Sequence, residues 1–336
     1  MPPDAVDVSV LIPVRDEAAV LREVARDILA QRFDGTIEFL FVDGRSQDGT
    51  LAILHELAGA DPRVRVLDNP ARRTPQALNL ALRHARGGVI ARMDAHTHYR
   101  PDYIARGVER LRAGGVESVS GPAIAEGDGR WSRRVALALS TRLGTGGADW
   151  RRRTEAEFEV DSGFAGLWLR STLERHGGWD EEWLNDQDSE LAARIRKAGG
   201  TIVCVPAMAA AYLPRDSLPA LARQYHRYGF YRVKTGLRHP ESLRRSHALA
   251  PGLVLTAVAA LAAPRPLRAA ARAGLAAYGA AVALETVRAA RDQPLADAAA
   301  LPAVFATMHF AWGVGFLRGC AVLGIPWRAL SDAASR

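Results

Sequence analysis

Short apolar runs alternate with longer segments of helical periodicity through the first third of the chain. The runs predict buried strands at residues 8–13, 37–42, 64–67, 89–93 and 116–120. Apolar residues at helical spacing predict helices at 18–31, 74–85 and 101–112. Strands that alternate with helices of about 10 to 15 residues are typical of βαβ units. The pattern therefore predicts an α/β fold with a mainly parallel sheet and flanking helices.

Polar residues follow three of the predicted strands at their carboxyl ends. Residues 13–17 follow the first, residues 43–50 the second, and Asp94 and His96 the fourth. Open α/β sheets bind ligands in the crevice outside these ends, and alternate residues of an extended segment point the same way. Ser46 or Asp48 has an alternative role as a helix N-cap, whereas Asp43 precedes any cap. We therefore expect a binding site around Asp43, Asp94 and His96.

Composition and charge narrow the class of protein. The 336 residues are 48% hydrophobic, enough for a sizeable core, and arginine carries almost all of the net charge of +7. No nucleic-acid-binding motif accompanies the charge, so we expect no nucleic acid partner. The two cysteines are far apart and fit no metal or disulfide pattern. The turn after the first strand lacks glycine, which excludes a Rossmann fingerprint there and disfavours an NAD-dependent oxidoreductase.

Several motifs occur together in an order that resembles a known family. Residues 10–17, 42–50 and 92–96 resemble family 2 glycosyltransferases of the GT-A fold. The Asp94-Ala-His96 version, followed by residues 99–103, is similar to bacterial exopolysaccharide glycosyltransferases of the succinoglycan type. The resemblance extends over residues 8–235 and implies a GT-A catalytic domain.

The resemblance implies roles for the first two polar loops. It places the uracil and ribose of a UDP-sugar against Pro13, Arg15, Glu17 and Asp43. Residues 72–79 resemble the stretch that packs beside the nucleotide, which makes Arg73 a candidate for the same pocket and Asn79 a further one.

The fourth strand departs from the family pattern at its metal motif. The family has Asp-x-Asp, whose last acid binds Mn²⁺ or Mg²⁺, and this chain has His96 there. Mg²⁺ prefers oxygen ligands, while imidazole suits Mn²⁺ and softer metals. Two interpretations stay open. Either His96 ligates Mn²⁺ beside Asp94, or Asp94 carries the metal and His96 contacts the diphosphate.

Residues 186–191 read Asp-Gln-Asp-Ser-Glu-Leu and open a predicted helix. An aspartate there is also the ordinary residue for an N-cap. The resemblance places the catalytic base in a Glu-Asp motif followed by x-Glu-Leu, which implies Asp188. Gln187 replaces the glutamate of that motif, so Asp186 stays a rival.

A third motif lies further along, at Gln224-x-x-Arg227-Tyr228. It resembles the Gln-x-x-Arg-Trp motif of processive family members, and Gln224 and Arg227 share a helix face. The resemblance implies contact of Gln224, Arg227 and Tyr228 with the acceptor or a diphosphate oxygen. A basic helix lying on a membrane surface is the alternative.

From residue 248 the chain becomes rich in Ala, Leu and Val. Apolar segments cover 248–263, 273–284 and 298–317, and only the last reaches the about 20 residues that a membrane span needs. We expect attachment to the cell membrane by one to three spans, or by a re-entrant hairpin of the first two segments. Residues 1–235 would be the catalytic domain, facing the cytoplasm, with a nucleotide half at 8–122 and an acceptor half at 123–235. Residues 236–336 would be the membrane-associated region.

Together these features predict a metal-dependent glycosyltransferase, and the family resemblance implies that it is inverting. It would move a sugar from a UDP-sugar to a polyprenyl-linked saccharide in polysaccharide or cell-envelope glycan synthesis, with Mn²⁺ or Mg²⁺ as cofactor. Two alternatives stay open: transfer to polyprenyl phosphate itself, and a non-catalytic protein that binds nucleotide sugars at the membrane.

Overall fold

The computed structural model describes residues 6–146 and 155–335. The chain divides into two compact units. The first unit comprises Met1–Ile124 and Arg153–Tyr212, and the second comprises Ala125–Arg152 and Leu213–Arg336. The boundary expected at residue 235 falls inside a helix that runs from Leu218 to Arg238. Residues 125–152, expected within the catalytic domain, group with the carboxyl-terminal helices.

The strands of the described residues form one large sheet and one small sheet in the first unit. In chain order they are β1 Val8–Val14, β2 Ile37–Asp43, β3 Val64–Asp68, β4 Val89–Arg92, β5 Thr97–Tyr99, β6 Ser118–Gly121, β7 Ala123–Ala125, β8 Phe158–Glu159, β9 Phe164–Leu169, β10 Ile202–Cys204 and β11 Ala210–Tyr212. The large sheet has the order β3-β2-β1-β4-β9-β6-β10-β8, and β5-β11-β7 form the small one.

The large sheet is mainly parallel, as expected. Strands β3, β2, β1 and β4 run parallel, β9 is antiparallel to both β4 and β6, and β8 is antiparallel to β10. Every residue of β2 and β4 is buried, because helices cover a parallel sheet on both faces. The register pairs Val14 with Asp43 and Leu11 with Arg92. The carboxyl ends of β1, β2 and β4 therefore lie side by side at one edge of the sheet.

The α-helices of the described residues complete both units. In chain order they are α1 Ala18–Leu29, α2 Thr50–Ala60, α3 Thr74–His84, α4 Tyr103–Arg112, α5 Arg130–Leu139, α6 Arg142–Thr145, α7 Arg170–Arg175, α8 Gln187–Lys197, α9 Leu218–Arg238, α10 Leu249–Ala262, α11 Arg265–Ala289, α12 Leu295–Ala298, α13 Leu301–Leu323 and α14 Trp327–Ser335. Helices α1, α3 and α4 match the three helices that periodicity predicts.

Helices build the second unit. Its core joins α5, α9, α11 and α13 through Val135, Leu221, Val282 and Phe305, all buried. Within the described residues, two stretches are long and apolar enough to cross a membrane: Arg245–Ala262 and Leu295–Leu323. They differ in burial, because 11% of the first window and 39% of the second are buried inside the protein. The expected segment 273–284 lies within α11 and is not one of the two.

Candidate active site

The loops after β1 and β2 are tied together by hydrogen bonds between their polar residues. The buried Asp43 carboxylate accepts from Ser46 Oγ at 2.6 Å and from the Ser46 N–H at 3.2 Å. Ser46 Oγ in turn accepts from the Asp16 N–H at 2.9 Å, and Asp16 Oδ1 accepts from the Gln47 N–H at 2.7 Å. Ser46 therefore links the two loops around Asp43 instead of capping α2.

Asp48 also joins the two loops. Its carboxylate accepts from Thr50 Oγ1 at 2.6 Å and from the Ala18 N–H, at the first turn of α1, at 2.9 Å. The N-cap position of α2 is Gly49, whose φ of +93° lies in the left-handed region that glycine adopts without strain. Thr50 Oγ1 also accepts from the Glu17 N–H at 2.9 Å. This bond fixes the backbone that carries the Glu17 side chain.

Several residues in these loops have strained backbone conformations with positive φ. Non-glycine residues with positive φ cost of order 1–3 kcal/mol each and cluster at functional sites. Five non-glycine residues of the described chain have a positive φ, and four of the five lie in loops that carry predicted site residues. These four are Asp16, Arg45, Arg72 and Asp186, with φ between 54° and 64°.

Arg15 and the loop before α3 lie next to each other. Arg15 Nη1 donates to the backbone oxygen of Arg72 at 3.1 Å. Arg73 takes the N-cap position of α3 with an exposed side chain, and its backbone oxygen accepts from Asn69 Nδ2 at 3.0 Å. Pro13 is half-buried in β1, one residue before the strand ends. The predicted nucleotide residues thus lie along one edge of the sheet, and their contact with a nucleotide stays a prediction.

The most heavily charged part of the site is a trio of two carboxylates and one guanidinium. Arg92, the last residue of β4, donates to Asp94 from Nε at 2.9 Å and from Nη2 at 3.3 Å. The remaining nitrogen, Nη1, donates to both carboxylate oxygens of Asp188, at 2.5 and 2.6 Å. Arg92 and Asp94 are each 6% exposed. A single guanidinium therefore joins the end of β4 to the first turn of α8.

Burial and pairing shift the pKa values of this trio. Burial raises the pKa of Asp188; Arg92 opposes the rise and Asp94 adds to it. Burial lowers the pKa of Arg92 because it disfavours the charged form. The carboxylates of Asp188 and Asp94 raise this pKa by more than burial lowers it, so the net shift is upward. The guanidinium is therefore charged at every working pH, and Asp188 is a carboxylate of increased basicity.

Aromatic groups complete the surroundings of the trio. Tyr99 Oη accepts from the Asp94 N–H at 2.7 Å, and burial raises the Tyr99 pKa well above its ordinary value, so the phenol stays protonated. Trp179 Nε1 donates to Asp188 Oδ1 at 3.3 Å. The Asn79 side chain holds the loop of Trp179, donating to its backbone oxygen at 2.7 Å and accepting from its N–H at 2.9 Å. Asn79 therefore supports the site through Trp179.

The two rival aspartates at α8 occupy different positions. Asp186 is the N-cap residue of α8, with a φ of 64°. Asp188 is the second residue of the helix, with its carboxylate on Arg92 and 26% of the side chain exposed. The predicted tail residue Glu190 is buried and pairs with Arg194 at 2.7 Å. Arg194 also donates to the Gly178 backbone oxygen at 2.8 Å, so Glu190 braces the loop before α8.

His96 lies beside a carboxylate of the first loop. Its Nδ1 is 3.3 Å from Glu17 Oε1, and its ring meets the edge of Tyr212 with centroids 6.4 Å apart. His98, two residues on, pairs instead with Asp27 on α1 at 2.7 Å. His96 and Glu17 therefore bring the polar loops after β4 and β1 together.

The side chains of the site supply only some of the ligands that a metal ion needs. Over residues 6–146 and 155–335, no three His, Cys, Asp or Glu side chains are grouped closely enough to hold a metal ion. Asp94 offers carboxylate oxygen and His96 an imidazole nitrogen, a pair that suits Mn²⁺. A metal held by these two residues needs its remaining ligands from a bound diphosphate.

The third predicted motif lies on α9, in the second unit. Gln224 is buried, and its Nε2 donates to Tyr228 Oη at 3.0 Å, one helical turn further on. Arg227 is exposed. Their role towards an acceptor stays a prediction.

Arg92 is the site residue that motif reasoning misses. Its signal is a charged residue in an otherwise apolar strand, two positions before Asp94 and therefore on the same side of the chain. The partner that explains it, Asp188, lies 96 residues away along the chain. A lone arginine in a buried strand predicts a carboxylate partner, because an unpaired buried charge is costly, but it does not identify which one.

Comparison with known proteins places the chain among glycosyltransferases. The sequence profile described as "Glycosyl transferase family 2" matches residues 9–172. The succinoglycan biosynthesis protein ExoA of Rhizobium meliloti (strain 1021) is 32% identical over 335 residues, covering 97% of this chain and 96% of ExoA. A beta-monoglucosyldiacylglycerol synthase of Trichormus variabilis is 28% identical over 211 residues, covering 59% of this chain and 43% of that protein.

The fold also matches a solved structure. It is the mannosyltransferase PcManGT from Pyrobaculum calidifontis in complex with GDP-Man and Mn²⁺, with a TM-score of 0.53 and 23% identity. The match covers 93% of this chain and 86% of PcManGT. The likeness shows a shared GT-A architecture.

Proposed function

Because the chain belongs to glycosyl transferase family 2, we propose that it is an inverting enzyme that transfers a sugar from a UDP-sugar to a polyprenyl-linked saccharide at the membrane. The name of the ExoA relative, which matches over nearly the full length of both chains, supports a role in exopolysaccharide synthesis. The departures at His96 and Gln187 are the only features that favour the non-catalytic alternative.

One observation carries the proposal: Arg92 joins the carboxylates of Asp94 and Asp188 at 2.5 to 3.3 Å. Asp94 belongs to the motif that the family uses at the donor diphosphate. Asp188 has the raised pKa that suits a general base. The guanidinium thus holds a donor-side carboxylate and a candidate base in one fixed arrangement, which is what a displacement at the anomeric carbon requires.

In the proposed reaction the acceptor hydroxyl attacks the anomeric carbon as Asp188 takes its proton. The bond from that carbon to the diphosphate oxygen breaks, and the nucleotide diphosphate leaves. Arg92 keeps Asp188 ionised and fixes its position. Asp43, buried and held by Ser46, together with Pro13, Arg15, Glu17 and Arg73, would bind the nucleoside.

In this proposal Asp94 and His96 would hold a divalent metal, and a bound diphosphate would have to supply its remaining ligands. PcManGT is a structure with Mn²⁺. When bound, the metal supplies charge neutralisation for the leaving diphosphate. This chain's residues would orient it, and His96 would favour Mn²⁺ over Mg²⁺.

A donor screen tests the function directly. UDP-, GDP- and dTDP-sugars are offered to the full chain with Mn²⁺ or Mg²⁺ and a lipid extract of the host. We expect transfer from a UDP-sugar into the lipid-soluble fraction, with a saccharide already present on the acceptor lipid. A product with one sugar on polyprenyl phosphate would favour the alternative acceptor, and nucleotide binding without turnover under either metal would contradict an enzymatic role.

Replacing His96 with aspartate tests the metal interpretation. Aspartate restores the oxygen ligand of the family motif, so we expect the ratio of Mn²⁺-supported to Mg²⁺-supported transfer to fall, because Mg²⁺ prefers oxygen. The His98→Asp variant is the matched control, since His98 pairs with Asp27 away from His96. If metal preference is unchanged in His96→Asp, the imidazole is not a ligand and its contact is with the diphosphate.

A further inference from the structure

One loop of the first unit places a tryptophan against the candidate base. The loop comprises residues 176–183, between α7 and α8, and reads His-Gly-Gly-Trp-Asp-Glu-Glu-Trp. Trp179 is 1% exposed, and its Nε1 donates to Asp188 Oδ1 at 3.3 Å. The indole N–H therefore restrains the direction in which the Asp188 carboxylate points, in addition to the contact from Arg92.

Asn79 binds the backbone of Trp179 from helix α3. Its Oδ1 accepts from the Trp179 N–H at 2.9 Å, and its Nδ2 donates to the Trp179 backbone oxygen at 2.7 Å. Nδ2 also donates to Glu181 Oε1 at 3.0 Å. An amide group donates and accepts at the same time, so one side chain bonds both backbone groups of Trp179. This pairing fixes the backbone from which the indole projects.

The backbone just before Trp179 has the shape that this contact needs. Gly177 and Gly178 have φ of +72° and +69°, in the left-handed region that glycine adopts without strain. A Cβ added at Gly178 would lie 2.6 Å from Asn79 Oδ1. A side chain there would push the amide away from Trp179, so the glycine permits the close approach of Asn79 to the loop.

Two further elements of the first unit hold the same loop. Arg194 of α8 donates to the backbone oxygen of Gly178 at 2.8 Å and also to that of His176. Trp168 of β9 packs edge-on against the Trp179 ring, with centroids 5.6 Å apart. Contacts from α3, α8 and β9 together restrict the orientation of the indole N–H towards the carboxylate.

We propose that Asn79 and Trp179 are positioning residues for the catalytic base. Asn79 fixes the Trp179 backbone, and the Trp179 indole holds the Asp188 carboxylate in the orientation that receives the proton of the acceptor hydroxyl. Asn79 acts on the base through Trp179 and not on the nucleotide, which its place in residues 72–79 suggests. The inference rests on the proposed function, in which Asp188 is the base, and adds two residues to its mechanism.

These positioning roles predict a change in pH dependence as well as in rate. Burial raises the pKa of Asp188 and Asp94 adds to the rise, whereas Arg92 and the hydrogen bond from Trp179 lower it. Loss of the indole N–H raises the Asp188 pKa further, so the acid limb of kcat/KM moves to higher pH. A contact that only stabilised the fold would lower the Tm and leave the acid limb in place.

Asn79→Ala, Trp179→Phe and the double variant test these roles in the full chain. Transfer is measured with the UDP-sugar that the wild-type chain uses, UDP affinity by titration calorimetry, and stability by thermal unfolding. We expect kcat to fall about 10- to 100-fold in each single variant, because a displacement of an ångström costs up to about 10²-fold in rate. UDP affinity should not change, and the acid limb should move to higher pH. The double variant should be about as slow as the slower single variant, since both changes remove the same contact with Asp188.

Gln76→Ala is the matched control for Asn79→Ala. Gln76 lies one turn earlier on α3, and its Nε2 donates to the Glu181 backbone oxygen at 3.2 Å, two residues beyond Trp179. This variant therefore loses a bond to the same loop without releasing Trp179, and it should keep the wild-type acid limb. Trp179→Phe keeps an aromatic ring in place, so the acid limb can be measured even if Asn79→Ala does not fold.

Three results would overturn the proposal. A weaker UDP affinity in Asn79→Ala would assign Asn79 to the nucleotide, additive losses in the double variant would show that Asn79 does not act through Trp179, and an unmoved acid limb in Trp179→Phe would reduce the indole to packing. Asp188→Asn in the same assay separates this failure from failure of the proposed mechanism. If Asp188→Asn transfers sugar normally, the base is wrong; if it is inactive while Asn79→Ala and Trp179→Phe are normal, only the positioning roles are wrong.

Discussion

Replacing Arg92 with methionine is expected to destabilise the first unit and to abolish most of the transfer activity. Methionine fills similar space but leaves the buried Asp94 and the partly buried Asp188 with no cation between their carboxylates. Removing one partner of a buried ion pair typically costs about 3–5 kcal/mol. Loss of the fixed geometry costs about 10²-fold in rate for displacements of an ångström. Thermal unfolding and initial transfer rates measure the two effects.

The Arg92→Lys variant separates charge from geometry. Lysine keeps the charge but lacks the planar fork that donates to two carboxylates at once. We expect stability to recover in part while transfer stays impaired, and the acid limb of the pH–rate profile to move to higher pH. Arg22→Met is the matched control, because Arg22 pairs with Glu56 in an exposed bridge at 2.7 Å, and exposed bridges contribute little. Wild-type transfer by Arg92→Met would refute the positioning role.

The sequence predicts the parallel half of the fold well, because each strand there is a short apolar run. Strands β1, β2 and β4 begin where their apolar runs begin, and the polar loops follow directly. Strand β9 is different: it comes from residues 164–169 yet lies between β4 and β6, antiparallel to both. A local pattern carries no information about which strands pair, so this insertion is not predictable from periodicity.

The same distinction applies to the candidate site: residues at strand ends are predictable from the sequence, and contacts between distant elements are not. Asp43 and Asp94 are predictable because each lies at a strand end, where the sheet edge alone specifies its location. The bridge that Arg92 forms between Asp94 and Asp188 is not predictable, because it depends on how α8 packs against the end of β4. Asn79 shows the same limit: its position suggests the nucleotide, but its amide bonds to the backbone of Trp179, 100 residues away.

Asp188→Asn is expected to remove sugar transfer while leaving nucleotide binding intact. Asparagine keeps the shape of the side chain and a hydrogen bond from Arg92 or Trp179, but it takes up no proton from the acceptor. A positioned general base contributes about 10²–10⁴-fold, so the transfer rate should fall by that amount with little change in the UDP affinity. Titration calorimetry and a transfer assay on the same preparation read the two quantities.

The matched control is Asp186→Asn, which also tests the rival base. Asparagine tolerates the left-handed backbone that position 186 adopts, so the start of α8 should survive and transfer should persist. The pH profile adds a second test. Burial raises the Asp188 pKa, so wild-type kcat/KM should fall, as pH decreases, at a pH above the ordinary aspartate range of about 3.9, because protonation removes the base. Asp186→Asn should keep that acid limb; if it loses transfer while Asp188→Asn retains it, the base is Asp186.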